Sequence, residues 1–114
     1  MSLQIRRSEW FMGDLEHYAA RYDEEAGWEL TERYLQAVAF TLQKLAEIPT
    51  LGHLTVFRAR ELKGLRCAAV ERPFNKHLIF YRFDEMNVYV ERAVHGARDL
   101  PRRLRQAPGV EEDD

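Results

Sequence analysis

Apolar residues follow two different periods along this chain, and the change comes just after Pro49. Residues 3–7 alternate apolar and polar side chains, as a short half-buried strand does. Ser8 carries the hydroxyl of a helix N-cap, and Glu9 in the first turn favours the positive end of the helix dipole. Phe11, Leu15, Tyr18 and Tyr22 then recur at spacings of 4, 3 and 4, which lines one helical face until Asp23-Glu24-Glu25 breaks the pattern before Gly27. Leu30, Tyr34, Val38, Thr41, Leu45 and Ile48 line a second, longer helix, with Ala37 and Leu42 widening the stripe. Pro49, which has no backbone N–H to give, stops it.

After a loop over residues 49–53 the period becomes 2. Residues 56–62 predict a strand, Lys63-Gly64 a tight turn, and residues 65–72 the next strand, interrupted at Pro73. Asn75-Lys76 turns into a strand over residues 77–83, and Asp84-Glu85-Met86-Asn87 into a last strand over residues 88–94. His77-Leu78-Ile79-Phe80-Tyr81 is apolar on both faces, so this strand should be central and covered on both sides. Asp99 is placed to cap a short helix over residues 100–105, where Pro101 is tolerated in the first turn. The order β-α-α-β-β-β-β-α predicts an α+β fold. An N-terminal strand leads to an antiparallel helical hairpin packed on a curved, mainly antiparallel sheet, and a short helix closes the chain. One domain is expected over residues 1–106. Residues 107–114, with Pro108-Gly109 and four terminal acids, read as an acidic, disordered tail without an apolar partner.

Composition changes this picture in two places. The single cysteine, Cys67, has no partner for an internal disulfide and sits in an apolar strand, so it reads as a buried thiol in a reducing compartment. No apolar run approaches the length of a membrane span and no long apolar stretch follows Arg6-Arg7, so the expected location is the cytoplasm. The formal net charge of −2 is unevenly spread: residues 49–106 hold 12 Lys/Arg against 6 Asp/Glu, whereas residues 1–48 hold 5 against 9. The basic excess therefore belongs to the sheet and the last helix, as solvated edges or as a surface for an acidic partner or nucleic acid.

Candidate chemistry is sparse. His53, His77 and His95 are the titratable groups that could serve as acid and base, but they lack metal-ligand spacing. There is no glycine-rich phosphate loop and no nucleophile elbow, and neither a metal nor a cofactor is expected. Arg92 interrupts the row Val88, Val90, Val94, and an inward arginine must be paired or open onto a groove. It either bridges to Glu71 or another acid, or joins Arg66, Arg82 and Arg98 on a concave surface for a carboxylate or phosphate partner. Trp10 and Trp28 lie off the main stripes, at the rim of the core or in an interface.

Four segments together carry a resemblance: Leu45…Ile48-Pro49, Leu62-Lys63-Gly64-Leu65-Arg66, His77-Leu78-Ile79-Phe80-Tyr81-Arg82 and Val94-His95-Gly96-Ala97-Arg98-Asp99-Leu100. In this order the chain, from residue 3 to about 105, resembles the RelE/ParE toxins of type II toxin–antitoxin systems, closer to the ParE or plasmid-stabilization branch. RelE-like members cleave messenger RNA on the ribosome, whereas ParE-like members inhibit DNA gyrase. RelE-like chemistry implies lysines on the strand after the hairpin, arginines on the next strand and at the sheet end, and a tyrosine in the last helix. Here the strand after the hairpin has no lysine in its middle, Leu78 stands where an arginine is expected, and Leu104 where a tyrosine is wanted. Only Arg98 matches, and one cation without a base or proton donor does not run the reaction. The resemblance thus implies a toxin without catalytic residues, acting by binding a target, gyrase first, and neutralised by an antitoxin that folds across it. His95, Arg98, Arg102, Arg103 and Arg105 form the expected target-binding segment, and Arg66, Arg82 and Arg92 the expected basic groove for the antitoxin. The alternatives are a ribosome-dependent mRNA interferase with a rearranged site, or a non-toxic scaffold of the same fold.

Overall fold

The computed structural model of the chain describes residues 2–110. Strand β1 (Gln4–Arg7) leads into helix α1 (Glu9–Ala26) and, through Gly27, into helix α2 (Trp28–Glu47). Short strands β2 (His53–Leu54) and β3 (Arg66–Ala69), then longer β4 (His77–Phe83) and β5 (Asn87–His95), complete the sheet before helix α3 (Leu100–Leu104). The strand order is β1-β5-β4-β3-β2, parallel between β1 and β5 and antiparallel elsewhere. The expected α+β architecture and the central place of β4 both hold.

Each face of the sheet has its own core. Phe11, Tyr34, Val38, Leu42 and Leu45 from the helical hairpin pack on Ile79, Tyr81, Val88, Val90 and Ala93. On the opposite face Leu62, Leu65, Cys67, Phe80, Val94 and Leu104 form a second cluster beneath α3. Ser8 caps α1 by accepting a bond from the N–H of Phe11 at 2.9 Å. The acidic triplet does not end α1. The helix continues to Ala26, where Gly27 at φ 92° supplies the left-handed exit that side chains disfavour.

Residues 56–62 differ from expectation. Pairing of β2 with β3 ends at the bond from Thr55 N–H to the Leu65 carbonyl, and the chain then crosses to the second cluster and makes a 3-10 turn over Arg60–Leu62. The reason is visible in the residues. A strand here would place Val56 and Leu62 on one face with Arg58 and Arg60 between them, so neither face would be apolar throughout. The irregular path instead packs Phe57, Ala59 and Leu62 on the second cluster and leaves Val56 in solvent. Strand β3 also stops at Ala69, before the turn that Thr41 Oγ1 and Lys44 hold by bonding Glu71. Pro108 of the expected tail lies against Gly13, where a methyl group would meet its Cγ at 2.9 Å. The acidic residues 111–114 lie outside the described residues.

Arg92 is placed by a β-bulge. Phe80 opposes Arg92 and Tyr81 opposes Val90, so Glu91 is the extra residue on β5. One extra residue exchanges the faces: Val88 and Val90 face the helices, then Ala93 does, while Val94 joins the second cluster. Arg92 is accordingly not an inward residue of the Val88 row. Its Nε and Nη2 donate to the Asp14 carboxylate, each at 2.8 Å, and Nη1 donates to the carbonyls of Arg103, Leu104 and Gln106. The expected bridge exists, but to Asp14 and not to Glu71, which pairs with Lys44 at 2.7 Å. Trp10 covers the guanidinium at 5.0 Å from its ring centre.

Both members of this pair are almost fully buried, so removing the carboxylate strands a charge. Asp14→Ala is expected to lower unfolding free energy by about 3–5 kcal/mol in urea titrations. A loss below about 1 kcal/mol, the range of exposed pairs, would show that water reaches Arg92.

Candidate functional site

Helix α1 runs beside the upper half of β5 and brings Tyr18 and Tyr22, one turn apart, over the start of β4 and the end of β5. There His77 and His95 pair across the antiparallel ladder, with ring centres 4.7 Å apart. Tyr22 Oη lies 2.8 Å from His77 Nε2, and Tyr18 Oη accepts the His95 backbone N–H at 3.0 Å. The loop through Gly96, at φ 86°, turns the chain back over this group. Arg103 holds that loop by donating to the carbonyls of His95 at 2.6 Å and Arg98 at 3.1 Å. Asp99 takes the N-cap position of α3 as expected, but its side chain makes no capping bond. It adopts a left-handed conformation, and its carboxylate pairs with Arg102 at 2.9 Å.

The result is a cleft of about 580 Å³ whose walls carry Tyr18, Tyr22, His77 and His95 and whose rim carries Arg21, Arg98, Arg102 and Arg103. Burial, and then the neighbouring His95, push the His77 imidazole down to about 3. Burial and the cations Arg103, Lys76 and Arg21 also lower His95. Burial raises the Tyr22 hydroxyl, and nearby Glu25 adds to this. His77, His95 and Tyr22 are therefore held neutral near pH 7, and the rim of the cleft carries the arginines. Such a surface can receive carboxylates or phosphates through planar, charged donors. No group of three His, Cys, Asp or Glu able to hold a metal occurs among the described residues.

Of the expected target-binding residues, His95, Arg98, Arg102 and Arg103 converge here. Arg105 does not: it bonds the Pro101 carbonyl and Glu61 and lines a second groove with Trp10, Tyr89 and Leu104. The three arginines of the expected basic groove do not share a surface. Arg66 stands opposite Tyr81 in the register and lies 5.8 Å from the Phe83 ring. Arg82 pairs with Glu91 and donates to the carbonyls of Lys63 and Glu61, while Arg92 is buried at Asp14. His53 is exposed on β2. Leu78 packs toward the second cluster, and its neighbour His77 is the residue that enters the cleft.

In the sequence Tyr18 and Tyr22 fall on the apolar stripe of α1. Their hydroxyls, spaced at i and i+4, were the available sign of a polar end to that stripe.

A single five-stranded sheet thus carries the helical hairpin on one face and the short, basic α3 on the other. A family profile described as "ParE toxin of type II toxin-antitoxin system, parDE" matches residues 5–100, and the chain belongs to that family of type II toxins. It is similar to a solved structure titled as the chromosomal ParDE toxin–antitoxin system from P. aeruginosa, with 14% identity and TM-score 0.68 over 84% of this chain and 98% of that one. It is also similar to a chain of the RelBE2 toxin–antitoxin complex from Mycobacterium tuberculosis, with 19% identity and TM-score 0.54 over 83% of this chain and 99% of that one. No match is found among curated proteins. At these identities the two structures speak for the fold alone. None of the helices among the described residues is long and apolar enough to cross a membrane.

The depressed histidines carry a pH signature. An unfolded histidine takes up a proton near pH 6.5, while folded His77 stays neutral until about pH 3. The unfolded state thus binds the extra proton, and stability falls as pH drops from about 6.5, by about 1.4 kcal/mol per pH unit for this residue. His95, lowered in the same direction, steepens the slope. In urea unfolding between pH 7 and 5, above most carboxylate titrations, His77→Gln is expected to flatten the dependence by about one proton. An unchanged slope would mean that His77 charges freely in the folded protein.

Proposed function

We propose that this chain is the toxin of a two-protein system, that it acts in the cytoplasm by binding DNA gyrase, and that a cognate antitoxin neutralises it. The observation that carries the target-binding reading is the convergence of His95, Arg98, Arg102 and Arg103 on one cleft built from the end of β5 and α3. Its charge is supplied by guanidinium groups, while the imidazoles beside them are held neutral by burial. That composition suits docking to an acidic surface better than proton transfer. Support for the antitoxin comes from the family and from the two similar structures, one a ParDE system and the other a toxin–antitoxin complex.

The test pairs growth with biochemistry. Arg98→Ala with Arg102→Ala changes two exposed side chains, so the protein should stay folded. Each lost contact is of order 1 kcal/mol, so the pair together makes roughly thirtyfold more protein necessary to block gyrase supercoiling, with matching relief of growth arrest on induction. Translated message should remain intact throughout. Undiminished arrest by the folded double variant, or codon-positioned cleavage of message by the parent protein, would sink the assignment.

A further inference from the structure

The cleft has ring walls as well as a cationic rim, and an acidic surface uses only the rim. Tyr18 and His77 cross at 82° with centres 5.0 Å apart, and His77 and His95 at 69° with centres 4.7 Å apart. His77 is 1% exposed, so the ring surfaces presented to the cleft are those of half-buried Tyr18 and exposed His95. Both are neutral, and a neutral aromatic surface of this kind stacks planar heterocycles. The cleft, at about 580 Å³, also has the size of a small-molecule site, which runs from about 300 to 1,000 Å³.

The rim supplies the complement to a stacked ring. Arg98 is exposed and lines the cleft, and Arg21, from the opposite wall, is close enough to His95 to lower its imidazole. Arg21 reaches Glu25 only at 3.9 Å, an exposed pair of little strength that a more highly charged anion can replace. A ligand that uses wall and rim together carries a planar heterocycle beside an anion. A phosphate monoester suits the guanidinium groups better than a carboxylate, because it brings nearly two charges and three acceptor oxygens at pH 7. We propose that the cleft is a nucleotide site, which stacks a base on Tyr18 and His95 and holds a 5′-phosphate between Arg98 and Arg21. The inference rests on the cleft of the preceding reading and gives it a small ligand, so that nucleotide and protein target compete for Arg98.

Titration of the full chain with adenosine 5′-monophosphate, followed by calorimetry and by proton NMR of the imidazoles, tests this. Saturable binding is expected with a Kd of about 1 mM or tighter, together with an upfield ring-current shift of the His95 ring protons. Adenosine and ribose 5-phosphate each carry one half of the ligand and should bind at least about tenfold more weakly. His95→Ala and Arg98→Ala, both exposed side chains, should each weaken the nucleotide about tenfold without moving the urea midpoint. Arg58→Ala, an exposed arginine outside the cleft, should leave the affinity unchanged. Absence of saturation by about 10 mM, or a tetraglutamate peptide binding as tightly as the nucleotide, would overturn the proposal. No gyrase is in the sample, so the two readings fail separately. Nucleotide binding without inhibition of supercoiling removes the target alone, and inhibition without nucleotide binding removes the nucleotide alone.

Discussion

The carboxylate of Asp14 lies between two sets of backbone groups that would otherwise face a dry interior without partners. On one side is the upper half of β5, which β1 pairs only as far as Val90. On the other are the last carbonyls of α3, orphaned as at any helix C-terminus. Asp14 accepts the Ala93 N–H directly and reaches α3 through Arg92, whose third nitrogen takes the carbonyls of Arg103, Leu104 and Gln106. Helix α1 thereby does the work of a missing edge strand. Ser8 donates to the Glu91 carbonyl, Asp14 accepts from Ala93, and Tyr18 accepts from His95, each one or more turns further along the helix. An edge covered in this way offers no template for pairing with another chain.

The cleft follows from the same arrangement. A helix that lies along β5, with Tyr18 bonded to its last residue, must carry Tyr22 onto the start of β4, where His77 is paired with His95. A short helix tied by its C-terminal carbonyls to Arg92 must in turn present Arg102 and Arg103 near that end of the sheet. Five residues make too short a helix to hold itself, so the position of the cationic rim is set by a buried ion pair on the far side of α3. The bulge at Glu91 is what makes this possible. Without the extra residue, the strict alternation of β5 would direct Arg92 into the apolar layer under α1 and α2.

This explains which parts of the molecule were legible in the sequence. The helical stripes from Phe11 to Tyr22 and from Leu30 to Leu45, and the doubly apolar β4, obey single periods over many residues, and the hairpin, the layer order and the central strand follow from them. The bulge leaves no such mark, since Val88, Val90, Arg92 and Val94 read as one row until the partner strand fixes the register. Arg92 was therefore recognised as needing an acid while Asp14 was not, because that carboxylate lies 78 residues away in the chain. Residues 56–62 failed for the opposite reason: alternation was present, but the arginines within it left no apolar face to bury. In the cleft, Arg98, Arg102 and Arg103 were found through local charge and resemblance. Tyr18 and Tyr22 looked like core because their rings lie on the apolar stripe of α1, and His77, legible only as one of three titratable histidines, proved to be buried beside them.

Division of labour follows from these placements. The groups that fix the cleft, Asp14, Arg92, Tyr22 and His77, turn their charges and hydrogen bonds inward, whereas Arg21, Arg98 and Arg102 are spread on the rim, where Arg21 and Arg102 form exposed ion pairs. The inner set carries the larger free energies, since an unpaired buried charge costs several kcal/mol and an exposed pair contributes at most about one. Rim arginines can therefore change with little effect on folding, whereas the inner set cannot. What such a fold must keep is apolar periodicity and a covered β5 edge, and many sequences satisfy both.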